Sequence, residues 1–249
     1  MLSVKVKNII IGEGTPKICI PVLGKTYDEI LKSAKSAKDH QPDIIEWRAD
    51  WYDGVFSDAD LTDVLKKLRS YFEETPLLVT FRTKAEGGEK EISKEDYSHF
   101  VRTVAGSGCA DLIDLELFIG EDTFNDCIKV AHDNNLYVVA SNHDFHATPT
   151  DEEIINRLKT MDEKGADILK IAVMPNDPAD VLTILKATYD MHEKYTKKPL
   201  ITMSMGELGL ITRLSGKVFG SAVTFGSAGV SSAPGQINAL ELRKLLYKE

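Results

Sequence analysis

Lys170 stands inside the apolar run Ala166-Asp167-Ile168-Leu169-Lys170-Ile171-Ala172-Val173-Met174. An ammonium taken out of water is costly unless it is paired or loses its proton. Such a lysine is either a snorkelling surface residue or a buried nucleophile that condenses with a ketone. Burial or a cationic neighbour makes an amine nucleophilic near neutral pH. The protonated imine then gives a carbanion formed beside the former ketone somewhere to place its charge. His143, in Ser141-Asn142-His143-Asp144, is the residue type that can take that proton and return it to a departing hydroxyl. Arg48, Arg82 and Arg213 supply the forked donors that hold a carboxylate at two points. An amine, a histidine and several arginines together predict a ketone-activating site for an anionic substrate.

Residues with these roles need a scaffold that brings distant segments together. Short β-rich runs occur at 18–22, 44–48, 77–82, 112–117, 136–141, 168–173, 200–204 and 222–225. Helical patterns lie between them. Residues 60–71 put Leu61, Val64, Leu65 and Leu68 on one face, and a second pattern covers 153–161. Residues 179–195 space Leu182, Leu185 and Tyr189 helically, and a last helix is predicted over 237–247, with Pro234 near its start. Continuous apolar strands alternating with helices imply a parallel sheet covered on both faces. Eight units in 249 residues, about 31 each, suit a (β/α)8 TIM barrel of α/β class. An open doubly wound sheet competes, but no GxGxxG follows the first strand. Val4 and Val6 alternate with Lys5 and Lys7, so residues 4–11 are expected to form a hairpin closing the barrel bottom. No linker-like stretch divides the chain, which predicts one barrel domain over 1–249.

Barrel enzymes carry catalysis at the C-terminal strand ends. Glu46 and Arg48 share a face with Ile44 and should point into the barrel mouth. Asp114 and Glu116 lie on strand 4, and Glu86 follows strand 3 just before Gly87-Gly88. Each residue also has a plainer explanation. Glu46 and Arg48 could be an ion pair at the rim, and His143 a satisfied turn histidine. Asp114 and Glu116 read more simply as buried partners of the arginines, and Met203 and Met205 as core or pocket lining. His146 is a weaker alternative base. The Gly/Ser-rich stretch 226–236 is where many barrels hold a phosphate.

Composition narrows the class of function. A formal net charge of −9 without a Lys/Arg-dense patch argues against nucleic acid. Cys19, Cys109 and Cys127 lack CxxC spacing and suit a reducing compartment better than a disulfide set or a zinc site. No apolar run reaches the length of a membrane span, and the N-terminus lacks a signal-peptide pattern. A cytoplasmic protein with no membrane partner is expected.

The motifs taken together resemble the type I 3-dehydroquinate dehydratases of the shikimate pathway. They are Gly12-Glu13-Gly14-Thr15-Pro16-Lys17-Ile18, Ile44-Ile45-Glu46-Trp47-Arg48, and Thr80-Phe81-Arg82 with Glu86-Gly87-Gly88. Asp114-Leu115-Glu116-Leu117 follows, then after twenty residues Val138-Val139-Ala140-Ser141-Asn142-His143-Asp144-Phe145. Lys170-Ile171-Ala172-Val173-Met174-Pro175 and Ser231-Ser232-Ala233-Pro234-Gly235-Gln236 complete the set.

The resemblance implies a barrel homodimer that dehydrates 3-dehydroquinate without metal or organic cofactor. It assigns imine formation to Lys170, proton transfer to His143 and orientation of His143 to Glu86. It gives the substrate carboxylate to Arg213, and the ring substituents to Glu46, Arg48, Arg82, Ser232 and Gln236. Met203, Met205 and Phe225 would be pocket walls, and residues 226–236 a closing lid. Pro21 stands where some relatives carry a serine, which removes a possible hydroxyl contact. A lysine-imine aldolase is the rival enzyme and would need a phosphate site in 226–236. A catalytically silent barrel sensing quinate-type ligands is the rival of another class, and it would have lost the lysine or the histidine.

Overall fold

The computed structural model describes residues 2–229 and 232–247. Strands β1 (Val4–Val6) and β2 (Ile9–Ile11) form an antiparallel hairpin. Eight parallel strands follow: β3 (Lys17–Val22), β4 (Ile44–Arg48), β5 (Leu77–Thr80), β6 (Leu112–Glu116), β7 (Tyr137–Asp144), β8 (Ile168–Val173), β9 (Leu200–Ser204) and β10 (Val223–Ser227). Between them lie α1 (Tyr27–Asp39), α2 (Asp58–Tyr71), α3 (Lys94–Gly106), α4 (Glu121–Asp133), α5 (Asp151–Glu163), α6 (Pro178–Asp190), α7 (Leu210–Leu214) and α8 (Gly216–Phe219). A two-residue strand, β11 (Ile237–Asn238), pairs with β10 and leads into α9 (Ala239–Tyr247). The pairing order β10-β3-β4-β5-β6-β7-β8-β9 gives the expected (β/α)8 barrel.

The interior is filled, not hollow. Cys19, Ile44, Leu78, Leu112, Val139, Ile168, Ile201 and Val223, one from each barrel strand, share a cluster with Val4, Val6 and Ile11 of the hairpin. The hairpin therefore plugs the bottom, and its apolar side chains replace the water that would otherwise enter there.

The seam between β9 and β10 differs from the others. Its backbone pairing is a bridge between Leu200 and Ser221, with the Ala222 amide donating to the Leu200 carbonyl at 2.7 Å. Further up, side-chain hydroxyls satisfy the β9 amides. Ser221 Oγ accepts from Thr202 N at 3.0 Å, and Thr212 Oγ1 of α7 accepts from Ser204 N at 3.0 Å.

Several elements depart from the sequence pattern. The third strand stops at Thr80, because the Arg82 amide turns out of the ladder to the Asp50 carboxylate at 3.3 Å. The fifth runs on to Asp144 and puts His143 in register with Ala172, on a strand rather than in a turn. The helix expected over 179–195 ends at Asp190 and continues as a π-helical turn, Met191–Tyr195. Its buried face is Val181, Ile184, Ala187 and Thr188, while Leu182 and Tyr189 are exposed. Thr188 is buried because its hydroxyl bonds to Thr202 Oγ1 at 2.7 Å, which a hydrophobicity pattern cannot register. The last helix starts later than expected, at Ala239. Asn238, not Pro234, caps it, with its side-chain oxygen accepting from the Leu240 amide at 3.0 Å.

Candidate active site

The strand period of two puts Glu46, Asp114 and Lys170 on the inward face, one layer above the apolar filling. Lys170 Nζ lies 3.1 Å from Asp114 Oδ2 and 3.5 Å from Glu46 Oε1, over the Phe225 ring at 4.8 Å from its centroid. The charges nearest the amine are thus two carboxylates. Arg82 meets the amine only across their shared partner Asp114, and Arg48 is engaged by Asp50. Although burial alone would raise it, Arg82, Lys170 and the Ser141 hydroxyl hold the Asp114 carboxyl below the usual carboxylate range. Glu46 also accepts from Thr80 Oγ1 at 3.0 Å.

Arg82 is buried in a cage of acids. Nη1 donates to Glu116 Oε1 at 2.8 Å and Ser141 Oγ at 3.0 Å, and Nη2 donates to Asp114 Oδ1 at 2.8 Å. Burial opposes its charge, but Asp114 and Glu116 outweigh that and raise its pKa. Arg48 does not pair with Glu46. It grips Asp50 with both arms, Nε to Oδ1 at 2.8 Å and Nη2 to Oδ2 at 2.9 Å. Asp50, two residues past the strand end, carried no signal in the sequence, since only the short helical turn Ala49–Trp51 brings it back.

His143 is held from one side. Its Nδ1 is 3.0 Å from Glu86 Oε2, and its main-chain amide donates to the same oxygen at 2.9 Å. The contact is direct. Asn142 Nδ2 donates to the other oxygen, Oε1, at 3.1 Å. Glu86 closes a short helical turn ended by Gly87, whose φ of +83° suits glycine; a side chain there would also strike the Phe145 ring. Burial and the nearby Glu116 raise the Glu86 carboxyl to about 8. Burial, followed by Arg82, Lys170 and Arg48, holds the His143 imidazole well below its usual value. When Glu86 is ionised, Nδ1–H points at it and Nε2 is left as a free base. His146, by contrast, is exposed and lies outside the pocket wall.

Arg213 on α7 is a buried cation without an acid partner among the described residues. Nη2 donates to the Pro234 carbonyl at 2.9 Å, Nη1 lies 3.8 Å from Met203 Sδ, and Nε has no partner. Burial brings its pKa down to about 10. A desolvated guanidinium of this kind gains strongly from an anionic partner.

Lys170, His143, Glu46, Arg48 and Arg82 line the floor of one cavity, while Arg213 reaches its Met203 wall without lining it. Met203, Met205 and Phe225 form the apolar side, and Ser232, Ala233 and Gln236 the top. Ser232 and Gln236 are tied together, Gln236 Nε2 donating to Ser232 Oγ at 2.9 Å. Of the stretch 226–236, Val230 and Ser231 fall outside the described residues. The remainder folds over the mouth, with the Gly206 amide donating to the Pro234 carbonyl at 3.3 Å. Gly235 packs against Gly206 so tightly that a Cβ would sit 2.3 Å from its carbonyl oxygen. Pro21 lies on the inward face in register with Glu46.

Residues 18–249 match the family model described as type I 3-dehydroquinase. A 3-dehydroquinate dehydratase from Clostridioides difficile is 50% identical over 244 residues, covering 98% of this chain and 96% of that protein. One from Salmonella agona is 46% identical over 246 residues, covering 99% and 98%. A crystal structure of the type I enzyme from Clostridium difficile with covalently modified comenic acid superposes with a TM-score of 0.96. It is 49% identical over 99% of this chain and 97% of that one. A 3-hexulose-6-phosphate synthase, at 16% identity and a TM-score of 0.63, shares the fold alone.

Proposed function

The chain belongs to the type I 3-dehydroquinase family, and from that premise we propose that it dehydrates 3-dehydroquinate to 3-dehydroshikimate through an imine on Lys170. This is the third step of the shikimate pathway. One observation carries the assignment of roles: a buried amine and a carboxylate-held histidine sit on neighbouring strands, Ser141 opposite Lys170 and His143 opposite Ala172.

Lys170 Nζ, after giving a proton to a neighbouring carboxylate, attacks the ketone carbon. Loss of the carbonyl oxygen as water leaves a protonated imine. His143 Nε2 removes a proton from the adjacent ring carbon, and the electron pair flows into the imine to give an enamine. The enamine expels the β-hydroxyl, which leaves as water with the proton His143 has just taken. Hydrolysis of the imine returns the amine and an enone. Arg213 suits the substrate carboxylate because it is desolvated and has no acid partner among the described residues. Arg48 and Arg82, already engaged by acids, can offer ring hydroxyls only donors not committed to Asp50, Asp114 and Glu116. The test is appearance of the enone's ultraviolet absorbance when 3-dehydroquinate is added to chelator-treated protein. No absorbance change at any pH overturns the assignment.

Two further outcomes follow from the electrostatics. Activity requires the Glu86–His143 pair to carry one proton, on Nδ1. Adding a second proton abolishes the base, so kcat/KM should fall on the acid side of about 8, the value to which burial and Glu116 raise Glu86. Glu86→Gln removes the ionisable acid and should lower the plateau while moving this limb to lower pH, toward the depressed His143 value. A pH–rate profile unchanged by Glu86→Gln would remove Glu86 from the proton pathway. Arg213→Ala should raise KM roughly 10²-fold, the worth of a charge-assisted two-point contact, with a much smaller change in kcat.

A cytoplasmic homodimer is the form we expect. Three isolated, buried cysteines support a reducing compartment, and exposed Leu182, Leu208, Ile211 and Val218 offer apolar surface. Among the described residues no helix is long and apolar enough to cross a membrane. Sedimentation of the purified chain as a monomer would remove the dimer.

A further inference from the structure

Asn142 and Arg157 have no part in the chemistry above, yet hydrogen bonds link both to the reacting histidine. Asn142 is buried on β7, and its side chain leaves the strand on the side opposite Ser141 and His143. Its Nδ2 donates to Glu86 Oε1 at 3.1 Å, and its Oδ1 accepts from Arg157 Nη1 at 2.8 Å. Arg157 belongs to α5, whose first turn is capped by Thr150 Oγ1 accepting from the Glu153 amide at 3.2 Å. Arg157 Nε donates to Glu153 Oε1 at 2.7 Å, and its guanidinium lies 5.4 Å from the centroid of the Phe118 ring. The arginine is thus anchored on three sides, outside the wall of the cavity.

An asparagine amide has an accepting end and a donating end of nearly the same shape, so packing alone does not choose between them. A guanidinium is a donor only, and it does choose. With the Asn142 oxygen turned to Arg157, its NH2 group must face Glu86. Reversed, the amide would set an oxygen against the carboxylate, a contact Glu86 could satisfy only by holding a proton. The observed direction therefore joins Arg82, whose Nη1 lies 3.6 Å from Glu86 Oε2, in favouring ionised Glu86 against burial, Glu116 and Asp114; ionised Glu86 takes Nδ1–H of His143 and leaves Nε2 bare. We propose that Arg157 is a positioning residue that fixes the tautomer of His143 through Asn142 and Glu86. This deepens the dehydratase assignment and rests on it.

The experiment compares the pH dependence of kcat/KM, with borohydride trapping of the imine as a second readout. Arg157→Met keeps the contact with Phe118 and leaves Ile154, Leu158 and Met161, the buried face of α5, untouched. It should move the acid limb upward by about one pH unit, the effect of losing one well-aligned hydrogen bond to the carboxylate. At neutral pH kcat/KM should drop about tenfold, recovering above the limb, while imine trapping and KM stay as in wild type. Arg157→Lys, still a donor only, should restore the limb. Asn142→Ala removes the middle of the chain and must shift the limb in the same direction, even if Arg157→Met is too unstable to assay. An unshifted limb in either variant, or a loss of equal size at every pH, overturns the proposal and leaves Arg157 as a prop for α5. Wild-type protein inactive on 3-dehydroquinate would overturn the underlying assignment instead, before any variant is compared.

Discussion

Lys170→Met protein should form no borohydride-stable adduct with 3-dehydroquinate and should turn over roughly 10⁵-fold more slowly, the scale of effective molarity that a held nucleophile provides. Methionine keeps most of the apolar stem, so the walls made by Phe225 and Ala172 lose little contact. What it removes is, among the described residues, the only cation that touches Glu46, which Lys170 Nζ approaches to 3.5 Å and which otherwise accepts there from Thr80. Asp114 keeps Arg82 and Ser141. A buried carboxylate left short of its partner costs about 3–5 kcal/mol, so denaturant unfolding has to accompany the kinetics. A folded variant that is still labelled, or still active, would eliminate the imine mechanism. Lost activity with intact stability supports it most strongly.

His143→Ala should separate the two halves of the reaction. The amine and its two carboxylates are untouched, so imine formation continues and trapped adduct accumulates. Elimination then lacks its base and should slow by roughly 10²–10⁴-fold. Glu86 is the nearest substitute, since it already lies 3.0 Å from the Nδ1 position. Its reach, however, is set by the turn before Gly87, and both of its oxygens are taken by N–H donors from residue 143 and Asn142. Intact mass after borohydride treatment gives the adduct, and enone absorbance gives the turnover. Normal turnover in this variant would transfer the base role to Glu86.

How much of this was legible in the sequence depended on whether a residue's role follows from strand periodicity or from a turn. Glu46, Asp114 and Lys170 could be placed together because a period of two fixes their face and the barrel fixes which face is inside. The arginines were recognisable as a set, but their partners were not. Asp50 grips Arg48 because a short helical turn reverses the chain after β4, and nothing in the residue types announces that turn. The same holds for Asn142 and Arg157, fifteen positions apart and joined only once α5 packs beside β7. Which charges stand next to the lysine was hidden for a related reason, because only the folded barrel sets Glu46 and Asp114 between it and the arginines. On α6 the apolar spacing of Leu182, Leu185 and Tyr189 marked the wrong face, since Ala187 and a hydroxyl-bonded Thr188 fit the strand more closely than bulkier side chains.

The β9–β10 seam has a consequence for how Arg213 comes to lie beside the barrel mouth. A complete ladder would fence the barrel mouth with backbone on all sides, and a side chain from an outer helix could reach the interior only over the rim. Here the fence has a gate. Thr212 occupies the position a β10 carbonyl would have taken on Ser204, and the next residue along α7, Arg213, lays its guanidinium beside the inward-facing Met203. The barrel gives up a few interstrand bonds at one place, and through that place an arginine with no acid partner among the described residues comes to lie against the Met203 wall of the pocket.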